Sequence, residues 1–138
     1  MKSPLLLFTL KCSVILYFAA CSGIGDYASA VSATPVVTKG VWKVNLYSDA
    51  HKDQTNEFAG YTFTFQPGGE VKAYKDGAEI SGNWSEDDIS KRITINMGTR
   101  DPVLTKLNDY WNVSAITKAG VIFQNNENTN GRLQITSL

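Results

Sequence analysis

The amino-acid sequence predicts an all-β protein, a single small antiparallel barrel or sandwich of about eight strands with one short helical turn. Apolar and polar residues alternate with period two through most of residues 40–138, as expected for half-buried strands. Tight-turn sequences, Pro67-Gly68-Gly69 and Asp76-Gly77, separate the alternating segments, and no segment has the spacing of a long helix. At about 100 residues, this region is large enough for one hydrophobic core.

The first half of this region predicts two consecutive hairpins. Its clearest strand spans residues 58–66, where aromatic residues alternate with Thr62 and Thr64, all of them favourable in strands. Residues 49–56 predict a polar loop. The inward positions of the four strands are predicted to be Trp42, Val44 and Leu46; Tyr61, Phe63 and Phe65; Val71 and Ala73; and Ile80, Gly82 and Trp84.

The second half predicts four more strands and the helical turn. Asp101 is typical of an N-cap and Pro102 of a first helical position, so we expect a short turn through Leu104 and Leu107 that closes one end of the fold. A polar loop is predicted over residues 125–131. On the first of these strands Ile93, Ile95 and Met97 are predicted to share one face; Trp111, Val113 and Ala115 belong to the next strand, residues 121–124 to the one after it, and Leu133 and Ile135 to the last.

The N-terminus has the order of a secretory signal. Residues 1–20 contain Lys2, Lys11 and two apolar runs, but no acidic residue, which is typical of a signal peptide. A membrane span is the alternative. It is disfavoured because Lys11 lies in the middle of the apolar stretch, where a lysine costs roughly 2.5 to 3.5 kcal/mol.

The four residues Phe18-Ala19-Ala20-Cys21 resemble the lipobox of bacterial lipoproteins, although the first position is usually Leu. This resemblance implies cleavage before Cys21 and acylation of its sulfur. Ordinary cleavage at Ala28-Ser29-Ala30 is the alternative. The only other cysteine is Cys12, so the mature chain would have no thiol for a disulfide or a metal. We therefore expect residues 1–20 to be a lipoprotein signal peptide, residues 21–39 a flexible tether and residues 40–138 the barrel.

Two Gly-x-Trp sequences, Gly40-Val41-Trp42 and Gly82-Asn83-Trp84, resemble the lipocalin signature. The order in which these two motifs, the aromatic strand and the glycine turn follow one another along residues 40–138 resembles that of the small lipocalin-like lipoproteins common in Bacteroidota. The resemblance implies an up-and-down barrel in which each glycine allows close packing at a barrel end and each indole closes the floor. It also implies a lipid-anchored protein of the outer membrane; without an acidic run after Cys21, we expect the periplasmic face.

Composition and motifs exclude several classes of function. The leader holds two of the 13 basic residues and none of the 13 acidic ones, so the mature part is slightly acidic and predicts no nucleic-acid partner. The common nucleophilic triads cannot be built with His51 as the only histidine, so we expect no enzyme, metal or cofactor. Both His51 and the run Glu86-Asp87-Asp88 are interpreted as solvated loop residues.

The aromatic residues suggest two functions. An eight-stranded barrel is just wide enough to be filled by side chains or to hold one small ligand. The first hypothesis is a site for a small apolar or amphipathic ligand. Its affinity should not depend on pH, because no charged residue is predicted to face inward. The second is a filled barrel that binds a protein or glycan partner by its outer surface. We expect a packed core. The candidate ligand-binding or core residues are Trp42, Tyr61, Phe63, Phe65, Trp84, Trp111 and Phe123.

Overall fold

The computed structural model describes residues 31–125 and 130–138, so the predicted signal peptide and the predicted acylation site, Cys21, lie outside the described residues. In the described residues one antiparallel sheet contains nine strands and closes on itself. Eight strands form the barrel in the order β1-β3-β4-β5-β6-β7-β8-β9, and β9 pairs back with β1. The strands are β1 (Trp42–Asp49), β2 (Lys52–Asp53), β3 (Thr62–Phe65), β4 (Glu70–Lys75), β5 (Ala78–Glu86), β6 (Ile93–Asn96), β7 (Asp109–Ile116), β8 (Gly120–Asn125) and β9 (Gly131–Ser137). The predicted all-β barrel is confirmed.

The two ends of the barrel are covered by short helices. A four-residue helix, α1 (Thr34–Val37), precedes β1 and lies at the end where β5 ends and β6 begins; we call this the N-terminal end. Two 3₁₀ turns, Thr55–Phe58 and Leu104–Leu107, lie at the opposite end, which we call the far end. In the described part of the chain, no helix is long and apolar enough to cross a membrane.

The strands bury most of the residues that alternation predicted, although Val44, Ile80 and Val113 are only partly buried, and the register shifts at two places. On β5 and β6, Gly82, Trp84, Ile93 and Ile95 are buried as expected, and Met97, just after β6, is also buried. On β1, the pairing with β9 shifts between Val44 and Leu46. The prediction that Leu46 faces inward is therefore wrong, because the extra residue of this bulge turns the next one, Tyr47, into the core instead. A second shift lies between Val113 and Ala115 on β7.

The segment between β1 and β3 is more ordered than the predicted polar loop. It contains β2 and the first 3₁₀ turn, where Phe58 is buried instead of beginning a strand. β1 and β3 share only the register pair Trp42 and Phe63. The backbone of Tyr47 is satisfied elsewhere: its N–H donates to the Thr55 hydroxyl at 2.9 Å, and its carbonyl accepts from the Gln54 N–H at 2.9 Å. The turn thus seals a gap in the barrel wall.

The ordered domain begins earlier than predicted. Residues up to 39 were expected to be a flexible tether, but Thr34–Val37 forms α1, and Ala33 and Val37 are completely buried. The Val37 carbonyl accepts a hydrogen bond of 2.8 Å from the indole of Trp42. The segment has the composition of a linker, because most of its residues are small or polar and only two of its side chains enter the core.

The two Gly-x-Trp glycines serve different purposes. A Cβ on Gly82 would lie 2.4 Å from the Asn96 carbonyl oxygen and 2.6 Å from the Met97 Cα, so this glycine allows close backbone packing as predicted. Gly40 has φ +96°, and a Cβ there would meet only the Ser137 hydroxyl at 3.9 Å. Gly40 is required by its left-handed backbone and not by space, which corrects the prediction of close packing there.

Candidate functional site

The interior of the barrel is filled by aromatic side chains. A cavity large enough for a ligand would leave accessible surface on the side chains around it, yet none of the candidate residues is more than 9% exposed. The rings contact one another: Phe65 meets Trp84 edge-on with centroids 5.6 Å apart, and Tyr61 stacks on Phe63 at 6.1 Å. The packed residues are Trp42, Tyr61, Phe63, Phe65, Trp84, Trp111 and Phe123. This packing leaves no deep cup among them.

Hydrogen bonds hold the cover of the far end in place. The indole of Trp111 donates to the Leu107 carbonyl at 2.9 Å, and the hydroxyl of Tyr47 donates to the Lys106 carbonyl at 3.0 Å. The Lys106 ammonium lies 2.5 Å from both Gln54 and Glu57 side-chain oxygens. Lys106 therefore ties the two 3₁₀ turns together across this end.

A shallow pocket remains beside this cover. It measures about 290 Å³ and is lined by Tyr61, Ala73, Lys75, Asp76, Ala78, Ile80 and Asp101. We call it the mouth pocket, because it lies at the rim of the barrel. Lys75, at the end of β4, stands on the same face of the strand as the inward residues Val71 and Ala73. The prediction that no charged residue faces inward is thus wrong at the rim. The sequence signal was present, since Lys75 stands two residues after Ala73.

Charged groups converge on one aromatic ring in the mouth pocket. The Lys75 ammonium lies 4.6 Å from the centroid of the Tyr61 ring, whose hydroxyl donates to Asp101 at 3.1 Å. Burial, followed by the hydrogen bond and charge of Asp101, raises the pKa of Tyr61. Hydrogen bonds from the Leu104 and Val103 N–H groups lower the pKa of Asp101 despite its partial burial. Asp101 therefore binds the start of the helical turn, which begins at Leu104 and not at Pro102 as predicted, and it also anchors Tyr61.

A larger groove, of about 510 Å³, lies at the N-terminal end. Its walls come from the start of the described chain, the β3–β4 turn and the end of β5. The Glu86 carboxylate accepts hydrogen bonds from the N–H groups of Ala33 and Thr34 and from the hydroxyls of Ser32 and Thr34. Burial raises the pKa of Glu86, but these hydrogen bonds outweigh it and place the pKa below its usual value. Glu86 is therefore a latch for the incoming chain and not a solvated loop residue.

The other polar candidates form no catalytic arrangement among the described residues. His51 is exposed on the connection between β1 and β2. Asp87 organises its own turn, accepting hydrogen bonds from Ser90 and from the Ile89 N–H. Within residues 31–125 and 130–138, no group of three or more His, Cys, Asp or Glu side chains is placed to hold a metal ion.

Solved structures provide the comparison for this architecture. A DUF4847 family protein from Bacteroides vulgatus superposes with a TM-score of 0.58 at 14% identity, over 78% of this chain and 98% of that one. A lipocalin-like protein from Bacteroides uniformis superposes with a TM-score of 0.50 at 14% identity, over 73% and 98% of the two chains. The fold is lipocalin-like. At this identity the likeness concerns the lipocalin-like fold alone, and no family model or curated protein matches the sequence.

Proposed function

We propose that the protein is an exported, lipid-anchored interaction module whose filled lipocalin-like barrel binds a protein or glycan partner by its outer surface and loops. The observation that carries this proposal is the packed interior, in which Phe63, Trp111 and Phe123 are each 2% exposed. A barrel without an internal cavity has no room for the apolar ligand that a hollow lipocalin-like barrel could hold. The residues that recognise a partner must then lie on the outer surface and in the loops of the barrel.

The anchor is Cys21. Its support is the signal-like leader, the two alanines before Cys21, and the absence of any other cysteine after the leader. More than one acyl chain gives stable membrane attachment, so acylation at this position would hold the barrel at a membrane surface on the tether that follows.

Labelling in a bacterial host tests the anchor. Cells fed labelled palmitate should incorporate it into the wild-type protein and into Cys12→Ser, but not into Cys21→Ser. Cys12→Ser is the matched control because it removes the other cysteine and leaves the lipobox intact. A mature N-terminus at Val31 without lipid, found by mass spectrometry, would instead establish cleavage at Ala28-Ser29-Ala30.

Titration with an apolar probe tests the filled barrel. The mature chain carrying Cys21→Ser should show no saturable binding of a fluorescent fatty acid, and native mass spectrometry should find no lipid bound after purification. Stoichiometric binding of the probe, displaced by an unlabelled fatty acid, would contradict the proposal. Binding that persists in Lys75→Met would show that the aromatic side chains move apart to admit a ligand, whereas binding that is lost in Lys75→Met would place the ligand in the mouth pocket.

The mouth pocket supports a second candidate function, the binding of a small amphipathic carboxylate. Ala73, Ala78 and Ile80 supply an apolar floor, and Lys75 supplies a cation next to Asp101, whose carboxylate is already bonded to the Tyr61 hydroxyl and to two backbone N–H groups. Octanoate should then bind more tightly than octylamine in calorimetric titrations, and Lys75→Met should abolish the difference. Lys72→Met is the control, because Lys72 pairs with Glu79 at 3.0 Å on the outer wall. Equal affinities in the wild type would exclude this function.

A further inference from the structure

The most exposed large apolar side chains are concentrated at one end of the barrel. Of the five in the described residues, four belong to the N-terminal end: Val31 is 60% exposed, Val41 39%, Ile89 90% and Leu138 68%. The fifth, Tyr110, lies on the outer wall with the Arg92 guanidinium 4.9 Å from its ring centroid. Four exposed apolar side chains at the end where the chain enters the domain are placed to contact a surface to which that chain is attached.

These four residues lie on two opposite sides of the N-terminal end. The Leu138 N–H donates to the Val41 carbonyl at 3.0 Å, so these two lie together where β9 and β1 meet. Ile89 lies in the β5–β6 turn on the opposite side of the barrel. Val31 lies next to Ser32, which is bound to Glu86 at the end of β5. The exposed apolar side chains therefore lie at separate places on the rim of this end, so a flat surface could contact all of them at once.

The described chain also enters the domain at this end. Val31 precedes the residues that Glu86 holds, and ten positions separate it from Cys21. An extended chain spans at most about 3.6 Å per residue, so a lipid on Cys21 would keep this end within about 36 Å of the membrane.

We propose that the N-terminal end of the barrel docks on the lipid bilayer, with Val31, Val41, Ile89 and Leu138 inserted at the interface. This inference rests on the proposed lipid anchor, which brings the surface close to the membrane. Docking holds the barrel upright, and the far end with its mouth pocket faces away from the lipid. Partial burial of several apolar side chains is the driving force, as in other interfacial proteins.

Charge contributes little to this docking. The cationic side chains at the turns of this end are Lys39, Lys91, Arg92 and Lys118, and the acidic ones are Glu70, Glu86, Asp87 and Asp88. Since the two signs nearly balance, docking should depend only weakly on anionic lipid. An electrostatic surface would instead require a clear excess of basic residues.

Site-specific fluorescence tests the proposal without acylation. A chain starting at residue 22 with an N-terminal hexahistidine in place of Cys21 is tethered to phosphatidylcholine vesicles that contain nickel-chelating lipid. This chain has no cysteine, so Ile89→Cys and Lys52→Cys each give one thiol for an environment-sensitive nitrobenzoxadiazole label. Residue 52 is the control, because it is exposed on β2 at the far end.

The label at residue 89 should shift to shorter wavelength on tethering and be quenched by lipids that carry nitroxide on their acyl chains, and the label at residue 52 should do neither. Val41→Ser should lower the ratio of docked to undocked protein by about fivefold, whereas Tyr110→Ser should leave it unchanged. Adding phosphatidylglycerol should change the ratio by less than about twofold.

Identical behaviour of the two labels, or a docked fraction that depends steeply on phosphatidylglycerol, would overturn the proposal. Because the histidine tag replaces the lipid, a failure of Cys21 acylation in cells would leave this measurement unaffected. The two proposals can therefore fail separately.

Discussion

Trp84 combines burial, a ring contact and a hydrogen bond in one side chain. It is 6% exposed, meets Phe65 edge-on, and donates from its indole to the Gln66 carbonyl at 2.9 Å. Trp84→Ala should lower the free energy of unfolding by about 3 to 5 kcal/mol, measured by urea titration. Because small domains have about 5 to 15 kcal/mol in total, this variant will be close to unfolding.

A conservative substitution separates the two contributions of Trp84. Trp84→Phe keeps an aromatic ring but loses the indole donor, so it should cost less than the alanine variant while leaving the Gln66 carbonyl without this partner. A loss below about 1 kcal/mol for Trp84→Ala would contradict the core position of the side chain.

The Glu86 latch should make part of the stability depend on pH. Burial opposes ionisation, but hydrogen bonds from Thr34, Ser32 and Ala33 outweigh it, so the folded-state pKa lies below the ordinary value of 4.5. A depressed carboxyl pKa contributes stability that is fully present above the unfolded pKa and is lost as pH falls through the folded pKa. Glu86→Gln should therefore be less stable than the wild type at pH 7, and the difference should shrink below about pH 5.

Urea midpoints between pH 7 and pH 3 measure this difference. Glu79→Gln is the matched control, because its carboxylate lies on the outer wall and pairs with Lys72. A wild-type advantage over Glu86→Gln that stayed constant over the whole range would exclude the latch as a pH-dependent contact.

The sequence pattern predicted which residues form the core better than it predicted the contacts of the polar side chains. Trp84, Ile95 and Phe123 were predicted inward from alternation alone and are buried, because one face of a strand must be covered. The contacts of Glu86 and Lys106 could not be predicted, since their partners lie 54 and 49 positions away in the chain. Lys75 is a different case: alternation places it on the inward face of β4, but a charged residue at such a position is not expected in a core.

At the scale of the element, Gly82, the one glycine of β5, should not be replaceable without loss of stability. A Cβ there would overlap the backbone of Asn96 and Met97, which cannot move without disturbing β6. Gly82→Ala should therefore lower the free energy of unfolding by about 1 to 3 kcal/mol. Gly68→Ala is the control: its Cβ would meet nothing within 4 Å, so we expect a change below about 0.5 kcal/mol. Equal urea midpoints for the two variants would contradict the close approach.

Strand order was predictable from the sequence, but local irregularities were not. Turn residues such as Asp76 and Gly77 mark the hairpins, and both have positive φ, 49° and 78°. The bulge that turns Tyr47 inward has no such marker, because Leu46 and Tyr47 are both suitable core residues. The helix at Thr34–Val37 is too short to show a period of its own. Its stability comes from packing against the barrel, which no local pattern records.

At the scale of the whole molecule, Lys106 should control opening of the far end more than overall stability. The salt bridge to Glu57 is partly exposed, with side-chain exposures of 26% and 42%, so its loss should cost less than about 1 kcal/mol. Lys106→Met should nevertheless speed amide hydrogen exchange in the turns at 54–58 and 104–108, because it unties them. Lys72→Met should leave these amides unchanged. Exchange that rose throughout the barrel would show global destabilisation instead.

Closure of the barrel also sets the order in which the protein can be built. β1 and β9 pair from Trp42 with Ser137 to Ser48 with Arg132, so the last strand completes the wall that the first one begins. Contacts between such distant segments give a high contact order, for which folding takes milliseconds to seconds. Until β9 has been synthesised, β1 and β8 each keep an open hydrogen-bonding edge beside apolar residues that the closed barrel buries. Such edges pair readily with other chains, so a nascent chain depends on protection from aggregation until its final strand emerges.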